Sequence, residues 1–436
     1  MSHDIEQHSA APSPTRRTVL AGAAWSVPVI AAASIAPMAS ASNEPVLTFD
    51  KSTYNGTACG TISGAYVTVT VNGVATAGKS VTTTLGGGYK FSDGTTTNTQ
   101  VSGSDGRVSL PAISVPASGG TGTVSASSLS AVTATATVTA SSQSATWIAT
   151  DNLGWVGPLN QIPADATPTL AWGFFLHGTD LWSRDSIFAT NVTKATGGTV
   201  ELSNGGGSLT WVQYLEGSTW KAADNRGWST TLSQIPASAT PLDGWGYFLD
   251  GTNLWYKDAI IDTNVAKALA NTNNHSTSNL YPWVEYLKGS TWIAADTHGW
   301  STTLTQIPST ATPLRGWGYF LNGSDLWSFD TIIATNVGKA SAGTIELPNG
   351  SSLNWVVYLE GSTWKAADSR GWSHTLSAIP SSAKPLDGWG YFLDGTDLWY
   401  YDSIVQTNVT NAVAGSMMSE TATSYNWCEF LRAPSC

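Results

Sequence analysis

Tryptophan recurs in this chain with a fixed period. Twenty of its twenty-one tryptophans fall into four sets of five, and equivalent members lie 72 or 73 residues apart. Such a period is typical of repeat proteins, whose units bury their apolar faces against their neighbours. Any site built from repeated residues should therefore exist in several copies. The sets are Trp147, Trp155, Trp172, Trp182 and Trp211; Trp220, Trp228, Trp245, Trp255 and Trp283; Trp292, Trp300, Trp317, Trp327 and Trp355; and Trp364, Trp372, Trp389, Trp399 and Trp427.

The repeats occupy residues 144–436 and alternate between two types. Their boundaries are 147–219, 220–291, 292–363 and 364–436. The first and third units begin Trp-Ile, whereas the second and fourth begin Trp-Lys. The order is therefore ABAB, with a duplicated pair superimposed on the fourfold repeat.

The pattern within a unit predicts an all-β fold. Two apolar runs flank Asp250-Gly251, and the corresponding dipeptides in the other units are His177-Gly178, Asn322-Gly323 and Asp394-Gly395, which favour hairpin turns. Apolar pairs recurring every four residues after Asp258 predict one short helix in the second and fourth units. We expect four or five strands per unit.

Repeated four-stranded units suggest a closed four-bladed propeller. Closure requires the first unit, near Trp147, to lie beside the end of the last unit, near Trp427. The alternative is a two-lobed β protein made of two AB pairs.

The region before the repeats predicts a different β domain. Residues 45–140 lack tryptophan and form short alternating runs such as Tyr66-Val67-Thr68-Val69-Thr70-Val71, separated by turn signals such as Asn72-Gly73. The order VTVTVNGVATAGKSVTTTL, SGSDGRVSL, GTGTVSASS resembles the group 1 bacterial Ig-like domains of invasin-type and intimin-type surface proteins. The resemblance implies a β-sandwich that acts as a spacer or an adhesive stalk.

The N-terminus predicts export. Arg16 and Arg17 precede an apolar stretch that runs from Val19 to Pro37, and Ala39-Ser40-Ala41 follows as a small-residue cleavage site. Residues 1–41 resemble the twin-arginine (Tat) signal peptides of actinobacteria. A Sec signal carrying two arginines and an uncleaved anchor are the alternatives. We expect a secreted or cell-surface protein without a transmembrane segment after cleavage.

Charge and cysteine content narrow the partners. The formal net charge is −11, which argues against nucleic acid, because that partner needs a concentrated basic face. No motif indicates a cofactor or a metal, so we expect neither. Among the three cysteines, Cys428 and Cys436 are close in sequence, and we predict a disulfide between them. The alternative is a disulfide between Cys59 and one of these two cysteines.

The repeated tryptophans have two possible roles. Those within strands should form the core, because a tryptophan can bury roughly 150–250 Å². The others follow glycine in an Asp-x-x-Gly-Trp turn, where an indole face could stack on a pyranose and the aspartate could accept hydroxyl hydrogen bonds. Alternatively, the aspartate only bonds the turn backbone. The candidate ligand-binding residues are Asp151 and Trp155, Asp224 and Trp228, Asp296 and Trp300, and Asp368 and Trp372.

Catalysis has little support in the sequence. A glycosidase needs two carboxylates in one cleft, and no residue pair is singled out, so no catalytic residue is assigned. We expect a binding or adhesion protein, not an enzyme, with glycans or cell-envelope components as partners. The alternatives are a structural or interaction protein of the envelope without a small ligand and a secreted glycoside hydrolase.

Overall fold

A computed structural model describes residues 44–129, 131–201, 208–275, 279–346, 352–418 and 424–436. Within these ranges every regular element is a β-strand. No helix among them is long and apolar enough to cross a membrane. The expected signal-peptide residues Arg16, Arg17, Ala39 and Ala41 lie outside the described residues.

The N-terminal region contains twelve strands around one core. Val67 and Val69 from one sheet and Val124 and Val138 from another are fully buried in the same apolar cluster. Asn72 and Gly73 adopt positive φ in the turn between β4 and β5, as their sequence predicts. The strands are β1 Val46–Phe49, β2 Thr53–Gly56, β3 Thr61–Ile62, β4 Tyr66–Val71, β5 Val74–Ala75, β6 Ser80–Leu85, β7 Lys90–Phe91, β8 Thr97–Val101, β9 Arg107–Ser109, β10 Ile113–Ser114, β11 Gly120–Ser128 and β12 Ala134–Ala140.

Three sheets organise these strands. Their orders are β1-β4-β5 with β9 also paired to β4, β3-β10-β7, and β2-β12-β11-β6-β8. All pairs are antiparallel except β2 with β12, which run parallel. The inward-facing apolar side chains of these sheets therefore pack in one interior.

The repeat region forms eight four-stranded antiparallel sheets of two kinds. The four short sheets each have one strand of two residues and three of four residues. In chain order they are β15 Thr167–Pro168, β16 Phe174–His177, β17 Asp180–Ser183 and β18 Ser186–Ala189; β23 Thr240–Pro241, β24 Tyr247–Asp250, β25 Asn253–Tyr256 and β26 Ala259–Asp262; β31 Thr312–Pro313, β32 Tyr319–Asn322, β33 Asp325–Ser328 and β34 Thr331–Ala334; and β39 Lys384–Pro385, β40 Tyr391–Asp394, β41 Asp397–Tyr400 and β42 Ser403–Gln406.

The four long sheets alternate with the short ones. The first three are β19 Val192–Glu201, β20 Ser208–Glu216, β21 Thr219–Asp224 and β22 Ser229–Leu232; β27 Val265–His275, β28 Asn279–Lys288, β29 Thr291–Asp296 and β30 Ser301–Leu304; and β35 Val337–Glu346, β36 Ser352–Glu360, β37 Thr363–Asp368 and β38 Ser373–Leu376. The fourth joins β43 Val409–Met418 and β44 Ser424–Arg432 to β13 Thr146–Asp151 and β14 Val156–Leu159.

Each unit therefore contributes eight strands, four that form its short sheet and four that are divided between two long sheets. The expectation of four or five strands per unit is wrong. The predicted short helix is also wrong, because that stretch forms β26 and the start of β27. Asn264, at φ 60°, turns the chain between these strands, as do its equivalents Asn191, Asn336 and Asn408. The β-branched Ile260 and Ile261 also favour a strand. The predicted Asp-Gly and related hairpin turns are present.

The two ends of the repeat region meet in the fourth long sheet. β13 pairs with β44, with Asp151 opposite Trp427 and Trp147 opposite Leu431. The expected proximity of the first and last units is therefore confirmed. The first strands of the long sheets also contact one another in a cycle, β19 with β27, β27 with β35, β35 with β43 and β43 with β19.

The predicted Cys428–Cys436 disulfide is wrong. Cys436 is bonded to Cys59, with 5.1 Å between their Cα atoms, whereas Cys428 is free and buried. Because β44 stays extended to Arg432, it carries the chain roughly 13 Å beyond Cys428, farther than a disulfide can reach without a reversal. The bond instead joins the N-terminal region to the last residue of the chain.

Candidate functional site

The Asp-x-x-Gly-Trp turns, here called the tryptophan loops, share one hydrogen-bonding frame. In the fourth loop, Oδ1 of Asp368 accepts the backbone N–H groups of Arg370, at 2.8 Å, and of Trp372, at 3.0 Å. The other three loops repeat both bonds. The glycine before each tryptophan has φ between 89° and 94°, which other residues rarely adopt. The loops are therefore residues 151–155, 224–228, 296–300 and 368–372.

The frame leaves each loop tryptophan partly open to solvent. Their exposed fractions are 49% for Trp155, 46% for Trp228, 43% for Trp300 and 42% for Trp372. The aspartates behave differently, because one oxygen of each binds its own turn. The alternative role foreseen for them, holding the turn backbone, is therefore present, and the tryptophans are the groups offered to solvent.

Each exposed indole packs on a second tryptophan, which packs in turn on a third. Trp372 meets Trp389 edge to face, with ring centroids 5.7 Å apart, and Trp389 stacks on the buried Trp355 at 6.1 Å. Equivalent trios occur where each long sheet meets the next short sheet. Trp155 and Trp172 come from the first unit and pack with Trp427 of the last. The trios hold the exposed rings on a rigid base.

The tryptophans within the long-sheet strands form the core, as expected for tryptophans within strands. Eight are at most 1% exposed: Trp147, Trp211, Trp220, Trp283, Trp292, Trp355, Trp364 and Trp427. The first tryptophan of each unit donates its indole N–H to a proline carbonyl, as Trp220 does to Pro236 at 2.9 Å. The same bond recurs in the other three units. The tryptophans of β17, β25, β33 and β41 are only partly buried.

One position breaks the fourfold pattern inside the cycle of long strands. Equivalent residues Leu170, Asp243, Arg315 and Asp387 line a cavity of about 60 Å³. Arg315 forms ion pairs with both aspartates, its Nε lying 3.3 Å from Oδ2 of Asp387. Thr196 donates to Asp243 at 2.6 Å, and Ser341 to Asp387 at 3.3 Å. Both carboxylates are thus held as acceptors, which suits a structural cluster better than the acid and base of a glycosidase.

A second position also differs among the units. It lies where each long sheet packs against the next short sheet, a contact here called a joint. Gln213 reaches across its joint, accepting the N–H of Gly246 at 3.0 Å and donating to the carbonyl of Leu242 at 2.8 Å. Glu285 and Glu429 occupy the same position in other joints and accept the N–H of Gly318 and Gly173. Both glutamates are fully buried.

Burial raises the pKa of these two carboxyls, because it disfavours their charged forms. The pKa of Glu429 rises to about 8, although the Gly173 N–H opposes the shift, and that of Glu285 rises well above its ordinary value. The second oxygen of each has no partner among the described residues. Gln213 presents an amide N–H group at the equivalent position, and a carboxyl group offers a comparable donor only when it is protonated.

Sequence reasoning named the tryptophan loops and missed these two sets. Their signal was available in the aligned units, where Pro-Leu-Asp-Gly-Trp at residues 241–245 becomes Pro-Leu-Arg-Gly-Trp at 313–317. A charge reversal at one position of a close repeat indicates a contact between units. The sequence could not say which units would meet.

Comparisons with known proteins identify no family. No protein-family model matches the chain, and no curated protein sequence does. Solved structures match at low similarity. A catalytically inactive virginiamycin B lyase from Staphylococcus aureus with quinupristin has 10% identity and a TM-score of 0.32, covering 54% of this chain and 99% of its own. A streptogramin B lyase has 10% identity and a TM-score of 0.29, covering 66% and 98%. A putative phosphatase from Bacteroides thetaiotaomicron has 10% identity and a TM-score of 0.27, covering 90% and 98%.

These comparisons correct one expectation. We expected from the sequence that the protein is not an enzyme, whereas its structural neighbours include lyases, which are enzymes by name. The expectation is therefore withdrawn. At such low identity and TM-scores the likeness assigns no activity to this chain.

Proposed function

We propose that the repeat region is a closed, propeller-like ring that binds carbohydrate through its four tryptophan loops. One observation carries the proposal: all four loop tryptophans are 42–49% exposed, in a domain that buries eight others almost completely. Exposing so large an apolar ring costs free energy unless a ligand uses it. A flat indole face suits the apolar face of a pyranose.

The rigidity of the loops supports this function. The aspartate binds the backbone on both sides of the glycine. The exposed indole packs on a second tryptophan, which packs on a third. A binding surface that is ordered in advance loses little conformational entropy when its ligand arrives. Four such surfaces on one domain give multivalent binding to a repeating polysaccharide, so weak single sites can add up to strong attachment.

The rest of the chain fits an exported or cell-surface protein. In our proposal residues 1–41 direct Tat export, and residues 45–140 form an Ig-like stalk that carries the ring. The Cys59–Cys436 disulfide supports an oxidising location, because such bonds persist outside the reducing cytosol. Attachment to glycans or to other envelope components would make the protein an adhesin.

A glycan array tests the proposal. Replacing all four loop tryptophans with alanine, at Trp155, Trp228, Trp300 and Trp372, should abolish binding to the glycans that the unaltered protein retains, while the protein stays folded by circular dichroism. Ile260→Ala is the matched control, because it also removes an exposed apolar side chain, 47% exposed, away from the loops. Binding that survives the loss of all four tryptophans would refute the site.

An envelope interaction protein is the second candidate, and one observation favours it. The last strand of each short sheet is an edge strand, because it pairs with a neighbouring strand on one side only. It carries two adjacent exposed apolar residues. Exposed apolar edge strands are sites where another chain can pair. Ile260 and Ile261 are examples, each 47% exposed. Charged substitutions at Ile260 and Ile332 would abolish such association without altering glycan binding.

A further inference from the structure

The four tryptophan loops share a frame but differ at its apex. The residue two places before the tryptophan is Leu153, Arg226, His298 or Arg370 in the successive loops. Each is exposed, and each donates its backbone N–H to the loop aspartate at 2.7 or 2.8 Å. The side chains therefore project from equivalent points beside an exposed indole. A constant frame with a variable tip is the arrangement expected of sites with different preferences.

The fourth loop presents a positive charge to solvent. Arg370 lies 3.6 Å from Oδ2 of Asp368, and their side chains are 59% and 2% exposed. An approaching ligand consequently meets the guanidinium and not the carboxylate. A guanidinium has five N–H donors in one plane, and Asp368 leaves most of them for a ligand. Their geometry matches a carboxylate or a sulfate.

A second side chain distinguishes the fourth loop. The His374 ring stacks on the Trp372 indole, with centroids 6.0 Å apart and planes 20° from parallel. Its Nε2 lies 3.8 Å from Asp402. The equivalent residues of the other units are Gly157, Thr230 and Thr302. An imidazole at this position is therefore a feature of the fourth unit alone.

From this arrangement we propose that the loops of Trp228 and Trp372, each with an arginine at its apex, select acidic sugars, which carry a carboxylate or a sulfate. The inference rests on the proposed carbohydrate binding and assigns its ligand class. The indole stacks on the ring of the sugar, and the arginine pairs with its anionic group. The Trp155 loop, with Leu153 at its apex, takes neutral sugars.

Isothermal titration with three sugars tests this inference. The probes are an oligogalacturonate for the carboxylate, a sulfated oligosaccharide for the sulfate and a neutral malto-oligosaccharide. Arg226→Gln with Arg370→Gln should weaken acidic-sugar binding about tenfold, because one charge-assisted contact is lost, and leave neutral-sugar binding unchanged. Leu153→Arg should add acidic-sugar binding in the first loop. Circular dichroism confirms that each variant folds.

The outcomes separate the two proposals. Neutral-sugar binding together with acidic-sugar binding that ignores both arginine substitutions would overturn the inference and leave the proposed function standing. Equal loss of both sugars in the arginine variant would also overturn it. If none of a broad panel of sugars binds the unaltered protein, the proposed function fails and the inference fails with it. The acid probe that the arginines affect identifies the anionic group.

Discussion

Glu429 connects the last repeat unit to the first. It lies on the last strand, and its carboxyl accepts the N–H of Gly173 in the first unit at 2.6 Å. Gln213 makes the equivalent contact between the first and second units with an amide. The glutamate can reproduce the amide only while it holds a proton. The joint therefore depends on pH where glutamine does not.

Raising the pH should weaken this joint. The pKa of Glu429 is about 8 in the folded protein, well above that of an exposed glutamate, so the folded state binds the extra proton between about pH 4.5 and 8. Its contribution is fully present below that window and is lost as the pH rises through it. We expect Glu429→Gln to raise the free energy of unfolding at pH 8 by roughly 4 kcal/mol, measured by urea denaturation.

Gln213→Glu provides the matched reverse change. It should place a carboxyl in a joint built for an amide and should lower stability at pH 8 much more than at pH 5. Glu429→Gln and the unaltered protein should converge near pH 5. A pH-independent difference between them would show that the carboxyl is charged throughout.

The residue scale also shows where sequence reasoning reaches its limit. The loop tryptophans could be singled out because glycine and aspartate at fixed offsets encode their turn. The protonated state of Glu429 could not, because it depends on burial between two units that are distant in sequence. Arg315 likewise looks like a surface residue until the aspartates of the neighbouring units are brought against it.

Elements were harder to predict than repeats. The apolar pairs after Asp258 recur every four residues, which is also the spacing of a helix. In the structure they belong to β26, to the turn that follows it and to the start of β27. Asn264 takes positive φ between the strands, and a single asparagine in sequence does not reveal that conformation. The short strands carry only four residues each, too few to establish a period of two. The hairpins were predictable because their Gly-containing turns are local.

Within the long strands, close packing of tryptophan makes specific glycines irreplaceable. A Cβ on Gly343 would lie 2.7 Å from the indole nitrogen of Trp355, on the facing strand. We expect Gly343→Ala to lower the free energy of unfolding by about 3 kcal/mol, through overpacking. Gly338→Ala, in the same strand, is the control, since its new methyl would meet its nearest neighbour at 3.9 Å. Equal effects in urea denaturation would contradict this account.

The loop frame depends on one aspartate oxygen. Asp368→Ala should remove two hydrogen bonds to the turn and cost about 1–2 kcal/mol. Asp368→Asn keeps an oxygen in the same place and should behave nearly like the unaltered protein. Hydrogen exchange of the Trp372 N–H reports the difference directly, and it should accelerate in the alanine variant. Unchanged exchange would mean that the glycine turn holds itself.

At the scale of the whole molecule, one covalent bond spans almost everything. Cys59 and Cys436 are 377 residues apart, and their bond ties the segment that follows β44 to the N-terminal region. A loop of that size gives about 6 kcal/mol of stabilisation in the chain-entropy account, as an upper value. We expect Cys436→Ser to lower the unfolding temperature clearly, and reductant to act on the unaltered protein in the same way but not on the variant.

Cys428→Ala is the control for that experiment. It changes a buried thiol in β44 and leaves the Cys59–Cys436 bond intact, so this variant should remain sensitive to reductant. Mass spectrometry of the digested protein should recover a linked peptide pair that contains Cys59 and Cys436. A pair containing Cys428 would contradict the assignment.

The whole-molecule arrangement was partly predictable. The fixed tryptophan period gave four units, and the broken joint at Trp147 and Trp427 predicted that the ends meet. The number of sheets was not predictable. Each unit has strands in a short sheet and in long sheets, and in the sequence these strands follow one another without a sign of which sheet they join. The disulfide was assigned to the wrong partner because proximity in sequence is not proximity in space.

The shared fourth long sheet also sets the order of events during synthesis. β13 and β14 are made before the rest of the repeat region, whereas their partner β44 is the last strand of that region. Asn152, next to β13, and Asn426, in β44, are hydrogen-bonded although 274 residues separate them. Until β44 has left the ribosome, the first hairpin has an unpaired edge and its sheet is incomplete. Contacts of such high sequence separation form slowly, so the ring should close only after β44 has been synthesised.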